Sequence, residues 1–496
     1  MTNPADRCPT HGAQRKGRKR RGHLRLEFSV LALAAALAGC AVGPRYETPA
    51  SAAPAAWKEQ PAAAGWLPAA PADALDRGDW WKLFGDATLD ALAARVQVSN
   101  QNIAAAVSSY AQAQALVREQ RAALWPQVSI KGSGARNGSR QSGSVPANSF
   151  AADLGVDWAP DVWGRLRQAV TGAQANAQAS EADLASARLS AIGTLAIDYF
   201  SLREADAEIG LLDQTIAGYE RAYTITRNRY AAAIAAQTDV LQAQSQLASA
   251  RSSRVALQRN RATLEHAIAV LVGAAPADFS LPPAAWTPTV PGVPAGVPST
   301  VLQRRPDIAA AERAVAAANA QIGIARAAYF PNFGLSASVG SGASRLGDLF
   351  KASSTLWSLG VSVAQVVFDG GAIGAGVDAA RAAYDASVAR YRQTVLGAFQ
   401  GVEDQLTTAA TLAQQEVLLR EASHAADLTE QQLLNRYRAA QVSYTDVVTA
   451  QVAALSARRT LIQTQVSRQT AAVALIQALG GGWQPGWTDS PPATHP

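Results

Sequence analysis

The feature that most restricts this chain is a repetition. Residues 124–135 (LWPQVSIKGSGA) lie over 329–340 (YFPNFGLSASVG), so Pro126 meets Pro331 at an offset of 205. Leu154-Gly155-Val156 meets Leu359-Gly360-Val361 at that same offset. Farther along, Asn228-Arg229-Tyr230 falls on Asn435-Arg436-Tyr437, Thr238-Asp239-Val240 on Thr445-Asp446-Val447, and Gly273 on Gly480, all at 207. Matches that keep their order with so little drift mark an internal duplication, and the fold must be one that a single unit builds twice.

Each copy changes periodicity once. Phe333, Leu335, Ala337 and Val339 alternate with Asn332, Gly334, Ser336 and Ser338, and Trp357, Leu359, Val361 and Val363 alternate with Ser358, Gly360 and Ser362. In the first copy Phe150, Ala152, Leu154, Val156 and Trp158 alternate with Ala151, Asp153, Gly155 and Asp157. A period of two is a strand with one apolar and one polar face. The lengths suit membrane-barrel strands, and a soluble half-buried sheet is the alternative. Strand pairs are expected at about 126–163 and about 331–368. After each comes a proline-free tract dense in Ala, Gln, Arg, Leu and Glu, which are strong helix formers. Helical hairpins are expected at about 165–273 and about 372–480, with a first arm on the order of 100 Å long. Their narrow apolar positions (Leu241, Leu247, Val255; Val447, Leu455, Ile462) suggest coiled-coil seams. The proline-free stretch from Asp86 to Leu124 reads as one further helix.

Four strands cannot close a membrane barrel, which needs about eight, and an open edge is not tolerated in lipid. Either further strands are hidden or several chains share one barrel. Three chains give twelve strands in a closed ring, with the hairpins continuing it as a helical tube.

The net charge of +6 would suggest an acidic partner, but residues 1–39 alone hold eight Lys/Arg and two acids, and 8 − 2 = 6. The remainder is formally neutral, and nucleic acid is not an expected partner. The basic leader, the apolar run Val30–Ala38 and Gly39-Cys40 have the layout of an export signal too short to span a bilayer. Leu37-Ala38-Gly39-Cys40 resembles the bacterial lipobox, which makes Cys40 the first mature residue and a lipid-attachment site. Acyl chains there anchor at about 0.8 kcal/mol per buried CH₂. Ala41, not Asp, follows the cysteine and points to the outer membrane. An ordinary signal peptide that happens to contain a cysteine is the alternative. The other cysteine, Cys8, leaves with the leader, so no disulfide is expected.

The resulting division is a signal peptide 1–39, a Pro/Ala-rich tether 40–79, a first repeat 80–275, a linker 276–300, a second repeat 301–484 and a flexible tail 485–496. Of five histidines only His266 and His424 fall within the repeats, with no nucleophile or metal set beside them, and no phosphate-binding loop is present. An enzyme, a metal site and a cofactor are not expected. Phe368-Asp369-Gly370-Gly371 reads as a turn at a strand-to-helix junction.

Gln303-Arg304-Arg305-Pro306-Asp307-Ile308, Ala311-Glu312, Ala317-Ala318-Asn319-Ala320-Gln321-Ile322-Gly323 and Ala327-Ala328-Tyr329-Phe330-Pro331 together resemble the NodT-type outer-membrane efflux lipoproteins, relatives of the TolC-type channels. Trp80-Trp81 with Phe84, the Phe368 turn and the Arg-Tyr…Asp-Val hairpin turns fit the same resemblance. It implies a mostly α chain with a transmembrane β-barrel: a homotrimer with a twelve-stranded barrel continued by a long periplasmic α-helical barrel. It further implies a periplasmic adaptor, an inner-membrane pump often of the RND class, and passive export of drugs or other small toxic compounds. By the same resemblance Asp446, with Thr449 where relatives carry a second acid, belongs to a periplasmic gate. Arg229, Tyr230, Asp239, Arg436 and Tyr437 fall at the hairpin tips that meet the adaptor. A solvated acid near a helix N-terminus is the alternative for Asp446. Ala233 and Ala440 stand where relatives often have a turn glycine. A periplasmic coiled-coil scaffold or adaptor lipoprotein is the competing reading, and it would have one hairpin with soluble β-domains.

Overall fold

The computed structural model describes residues 42–51, 53–58, 77–138, 146–293, 298, 301 and 304–483. Cys40, the leader and the tail 485–496 lie outside the described residues. Helices α1 (Ala87–Ser99) and α2 (Gln101–Ala122) precede strands β1 (Gln127–Asn137) and β2 (Ala147–Trp158). Helices α3 (Arg165–Ala231) and α4 (Gln237–Leu271) complete the first copy. The second runs α5 (Pro306–Ala327), β3 (Asn332–Ala343), β4 (Thr355–Ala364), α6 (Ala372–Arg438) and α7 (Tyr444–Ala478). The duplication is visible in the lengths. Helices α2 and α5 have 22 residues each, α3 and α6 have 67, and α4 and α7 have 35. At about 1.5 Å per residue the longest pair measures about 100 Å each. Among the described residues no helix is long and apolar enough to cross a membrane.

The chain divides into two compact units. One holds the described residues of 1–45, 120–170 and 320–380, and its framework is a four-stranded sheet in the order β1-β2-β3-β4. All three pairings are antiparallel, with Ile130 opposite Leu154, Leu154 opposite Val339 and Val339 opposite Trp357. Strands β1 and β4 are its edges. The helices that follow the two hairpins are started by equivalent carboxylates. Asp161 accepts from the N–H groups of Leu166 (2.9 Å) and Arg167 (2.8 Å). Asp369 accepts from those of Gly371 (2.8 Å) and Ile373 (2.7 Å), which hold its carboxyl below the usual carboxylate range. The Phe368-Asp369-Gly370-Gly371 segment is thus a strand-to-helix turn, as its composition indicates.

The other unit is helical and contains the main apolar core. Trp80, Trp81 and Phe84 are buried in a short 3-10 turn, with Phe84 4.9 Å from Phe200. The helix expected from Asp86 to Leu124 is broken at Asn100. Its Oδ1 accepts from the N–H groups of Asn102 (3.0 Å) and Ile103 (3.1 Å), and its Nδ2 donates to the Leu271 carbonyl (2.8 Å). A buried Asn that satisfies two orphan helix donors makes a better start for a second helix than a continuation of the first.

Two proline-rich stretches are more tightly held than their composition suggests. In the tether, Trp57 is buried against Phe399 (6.0 Å), the N–H of Lys58 donates to Glu403 Oε1 (2.8 Å), and Tyr46 Oη donates to the Glu312 carboxylate. Between the repeats, the Arg203 guanidinium donates to the Pro282 carbonyl (3.0 Å) and the Trp286 indole to Gln469 Oε1 (2.9 Å). Gln469 in turn donates to the carbonyls of Thr287 (3.1 Å) and Thr289 (3.0 Å). Extended chain leaves its carbonyls free, and buried Arg and Gln side chains take them up. Of the expected coiled-coil positions, Leu247 and Val447 are buried, whereas Leu241 and Val255 are exposed in the single chain.

Candidate functional site: sheet faces and hairpin tips

The register sorts the sheet into two chemically different faces. On one, Val128, Val156, Ala337 and Leu359 form a row, as do Ile130, Leu154, Val339 and Trp357, and then Trp158, Leu335 and Val361. These are large apolar groups left open: Ile130 is 84% exposed, Trp357 78% and Leu359 77%. On the other face Gln127, Asp157, Ser336 and Gly360 make one row and Ser129, Gly155, Ser338 and Ser358 the next, with Ser338 and Ser358 Oγ 2.9 Å apart. Lys131 and Asp153 face each other there. An apolar face of this extent in contact with water would be an aggregation surface.

The hairpin tips are built by helix termination. Helix α3 ends with Ile234 N–H donating to the Arg229 carbonyl (2.8 Å) and Ala233 N–H to the Tyr230 carbonyl (2.9 Å). Helix α6 ends identically, Gln441 to Arg436 (2.9 Å) and Ala440 to Tyr437 (2.9 Å). This pair of bonds is the Schellman closure, which requires a left-handed residue. Ala233 (φ 59°) and Ala440 (φ 60°) supply it, the only non-glycine residues at positive φ among those described.

The expected tip residues do not behave as equals. Arg229 reaches across to the second hairpin, donating to the Tyr437 carbonyl (2.8 Å) with its guanidinium 4.6 Å from the centre of the Tyr437 ring. Tyr437 is buried against Tyr444, ring centres 5.3 Å apart, in a cluster with Ala222, Ala243 and Val447. Burial, with Tyr437, Tyr219 and Asp239 near by, pushes the Tyr444 phenol up to about 12. Thus Arg229, Tyr437 and Asp239 converge on one cluster, while Tyr230 and Arg436 point outward. Tyr444 is absent from the tip residues expected above. The pattern Ser443-Tyr444-Thr445-Asp446 carries the signal, since Ser three residues before an acid marks a helix start.

Asp446 closes that start. The N–H (3.0 Å) and Oγ (2.7 Å) of Ser443 both donate to Asp446 Oδ2, and Asp446 N–H donates to Ser443 Oγ (3.3 Å). Thr449 Oγ1 donates to the Thr445 carbonyl (2.9 Å). Asp446 and Thr449 share the exposed face of α7, opposite the buried Tyr444, Val447, Ala450 and Gln451. Behind the tips, ion pairs repeat with the duplication. Arg251 meets Glu220 (2.7 Å), and 207 positions on, Arg458 meets Asp427 (2.7 Å). Among the described residues no group of His, Cys, Asp and Glu is placed to hold a metal.

Comparison with known proteins agrees with this architecture. The toluene efflux pump outer membrane protein TtgC of Pseudomonas putida is 34% identical over 465 residues, 92% of this chain and 95% of that protein. The cation efflux system protein CusC of Escherichia coli is 29% identical over 457 residues, 91% and 98% of the two chains. The outer-membrane channel OprN superposes with a TM-score of 0.82 at 30% identity, covering 90% of this chain and all of that one. Two hairpins and one shared sheet also differ from the single hairpin with soluble β-domains of a scaffold. The family model described as outer membrane efflux protein matches residues 92–274 and 297–481, both copies of the repeat, and the chain belongs to that family.

Proposed function

We propose that this outer-membrane efflux protein is a passive channel in which three copies join their sheets into one twelve-stranded barrel. The hairpins continue the conduit into the periplasm as a helical barrel. The observation that carries this reading is the sheet, with successive apolar rows on one face, polar rows on the other and two edge strands whose ladders are open. Unpaired backbone groups cannot face lipid, and four strands are too few to close on themselves. A symmetric ring of copies pairs β4 of each with β1 of the next and leaves no edge. Gln127, Lys131, Asp153, Asp157 and the serine rows then line water.

The chain performs no chemistry on what it passes. A periplasmic adaptor docks on the hairpin tips at the exposed Tyr230 and Arg436, which the inward cluster of Arg229, Asp239 and Tyr437 holds in place, and an inner-membrane pump of the RND class supplies the energy. The cargo is drugs or other small toxic compounds, in keeping with relatives named for toluene and for cations. Acyl chains on Cys40, palmitate among them, anchor the protein to the membrane, and Cys40→Ser abolishes palmitate labelling while a correctly targeted assembly still conducts.

The exposed Asp446 and Thr449 form the periplasmic gate, where three carboxylates near one axis repel, so that basic residues or bound cations on them hold the closed state. Purified protein in planar bilayers gives discrete conductance steps, and their absence would contradict the channel. Asp446→Ala raises single-channel conductance. Ser443→Ala, which removes the same helix cap but keeps the carboxylate, leaves it near wild type. Equal conductance in wild type and Asp446→Ala would remove Asp446 from the gate.

A further inference from the structure

The described chain begins beside a cleft. The Val42 N–H donates to the Trp163 carbonyl (3.3 Å), and Gly43 lies so close to Gln168 and Gly323 that a Cβ there would sit 2.7 Å from Gln168 Nε2. Trp163 is itself fixed, its ring stacked on Phe330 (4.8 Å) and its indole N–H donating to the Pro331 carbonyl (2.7 Å). These contacts all fall within the sheet-bearing unit. The same Trp163 lines a cavity of about 340 Å³ together with Val162, Leu166, Ala327, Ala328 and Phe333. Nine of the twelve lining residues are apolar. Phe333 stands in the alternation of Leu335 and Val339 and Asn332 in the opposite one, so the cleft lies at the first residues of β3 and takes in the apolar side of the sheet through Phe333.

We propose that this cleft seats an acyl chain carried by Cys40. The inference rests on acylation of Cys40, part of the function proposed above. Only Ala41 separates Cys40 from the pinned Val42, so two residues of chain keep the lipid attachment within about 7 Å of it. The chain thus leads its lipid to a mostly apolar hollow at the strand–helix junctions. Apolar lining and an apolar occupant within reach are the chemistry such a site requires. The seat orients the strand–helix junctions against the membrane and ties lipidation to the base of the barrel. Arg165, at the rim, forms no ion pair among the described residues. That makes a free phospholipid, with its phosphate on Arg165, the rival occupant.

Ala328→p-benzoylphenylalanine, placed at an exposed lining position of the full-length chain and irradiated in outer membranes, separates the two. Mass spectrometry of the digest is expected to find the peptide carrying position 328 joined to the acylated peptide that begins at Cys40. The yield should be several-fold above that from the same probe at Leu359 in mid-sheet. Val162→p-benzoylphenylalanine repeats the test from the other wall and stands in if the first variant accumulates poorly. Capture of phospholipid alone at both positions overturns the inference, as does absence of any acyl adduct from a chain that carries palmitate label. A chain without palmitate label overturns it too, and shows that the acylation reading failed rather than the seat.

Discussion

Four helix ends in this chain close with the same pair of hydrogen bonds, and they differ in the residue at the left-handed position. At the ends of α4 and α7 it is Gly273 (φ 69°) and Gly480 (φ 91°), where a Cβ would lie 2.3 Å from the carbonyl oxygens of Ser99 and Arg304. At the tips it is Ala233 and Ala440, with no such neighbour forcing the choice. A left-handed alanine costs about 1–2 kcal/mol, part of which glycine returns as unfolded-state entropy. Ala440→Gly and Ala233→Gly are therefore expected to stabilise by up to about 1 kcal/mol each in denaturant unfolding. Gly273→Ala and Gly480→Ala should each destabilise by about 2 kcal/mol or more, since backbone must move to admit the methyl. Glu204 gives a pH test. Burial first, then Glu208 beside it, raises its carboxyl to about 7 against the partial relief of Arg459. Its folded pKa exceeds its unfolded one, so its contribution is full below about pH 4.5 and is lost as pH climbs to about 7. Glu204→Gln should raise the melting temperature at pH 8 and leave it nearly unchanged at pH 4.5; an equal gain at both would contradict the assignment. At this scale the sequence is only partly readable. Asn228-Arg229-Tyr230 and Asn435-Arg436-Tyr437 look alike, yet one tyrosine is exposed and the other buried. The difference comes from what packs against each copy, and a repeat cannot announce that.

Strands are the most legible elements, because a period of two with Ser and Gly on one side fits a pleated strand and no helix. The long helices are legible from length and composition. Helix α5 is not: its sequence is so rich in alanine that no single face stands out, and only Pro306 marks its start. The tether and the segment between the repeats read as loose from their prolines. Trp57, buried against Phe399, and the half-buried Trp286, bonded to Gln469, overrule that, since an aromatic side chain packed on the helices outweighs the preference of its neighbours for open chain. Trp57→Ala should cost about 3–5 kcal/mol in unfolding free energy, the usual range for a buried tryptophan, while far-UV circular dichroism stays native. A loss below about 1 kcal/mol would mean that this part of the tether is dispensable to the fold.

For the whole molecule, the proposed ring of three copies accounts for so few strands in one chain. One sheet has an apolar and a polar face but two open edges, and a ring of copies removes the edges without further sequence. The sequence supports that ring because strand number can be counted against a minimum for closure. Gate and docking residues are harder to place, because they depend on surfaces that only the assembled ring defines. The most direct test of the ring is a disulfide across its seam. Ser129→Cys on β1, paired in turn with Ser358→Cys, Gly360→Cys and Ser362→Cys on β4, samples the registers that keep both polar faces aligned. Within one chain β1 and β4 are three strand spacings apart, about 14 Å, beyond the reach of a disulfide. One pairing should give a non-reducing gel ladder of one, two and three chains that stops at three. Single chains only in every pairing, or a ladder running past three, would contradict the closed trimeric barrel.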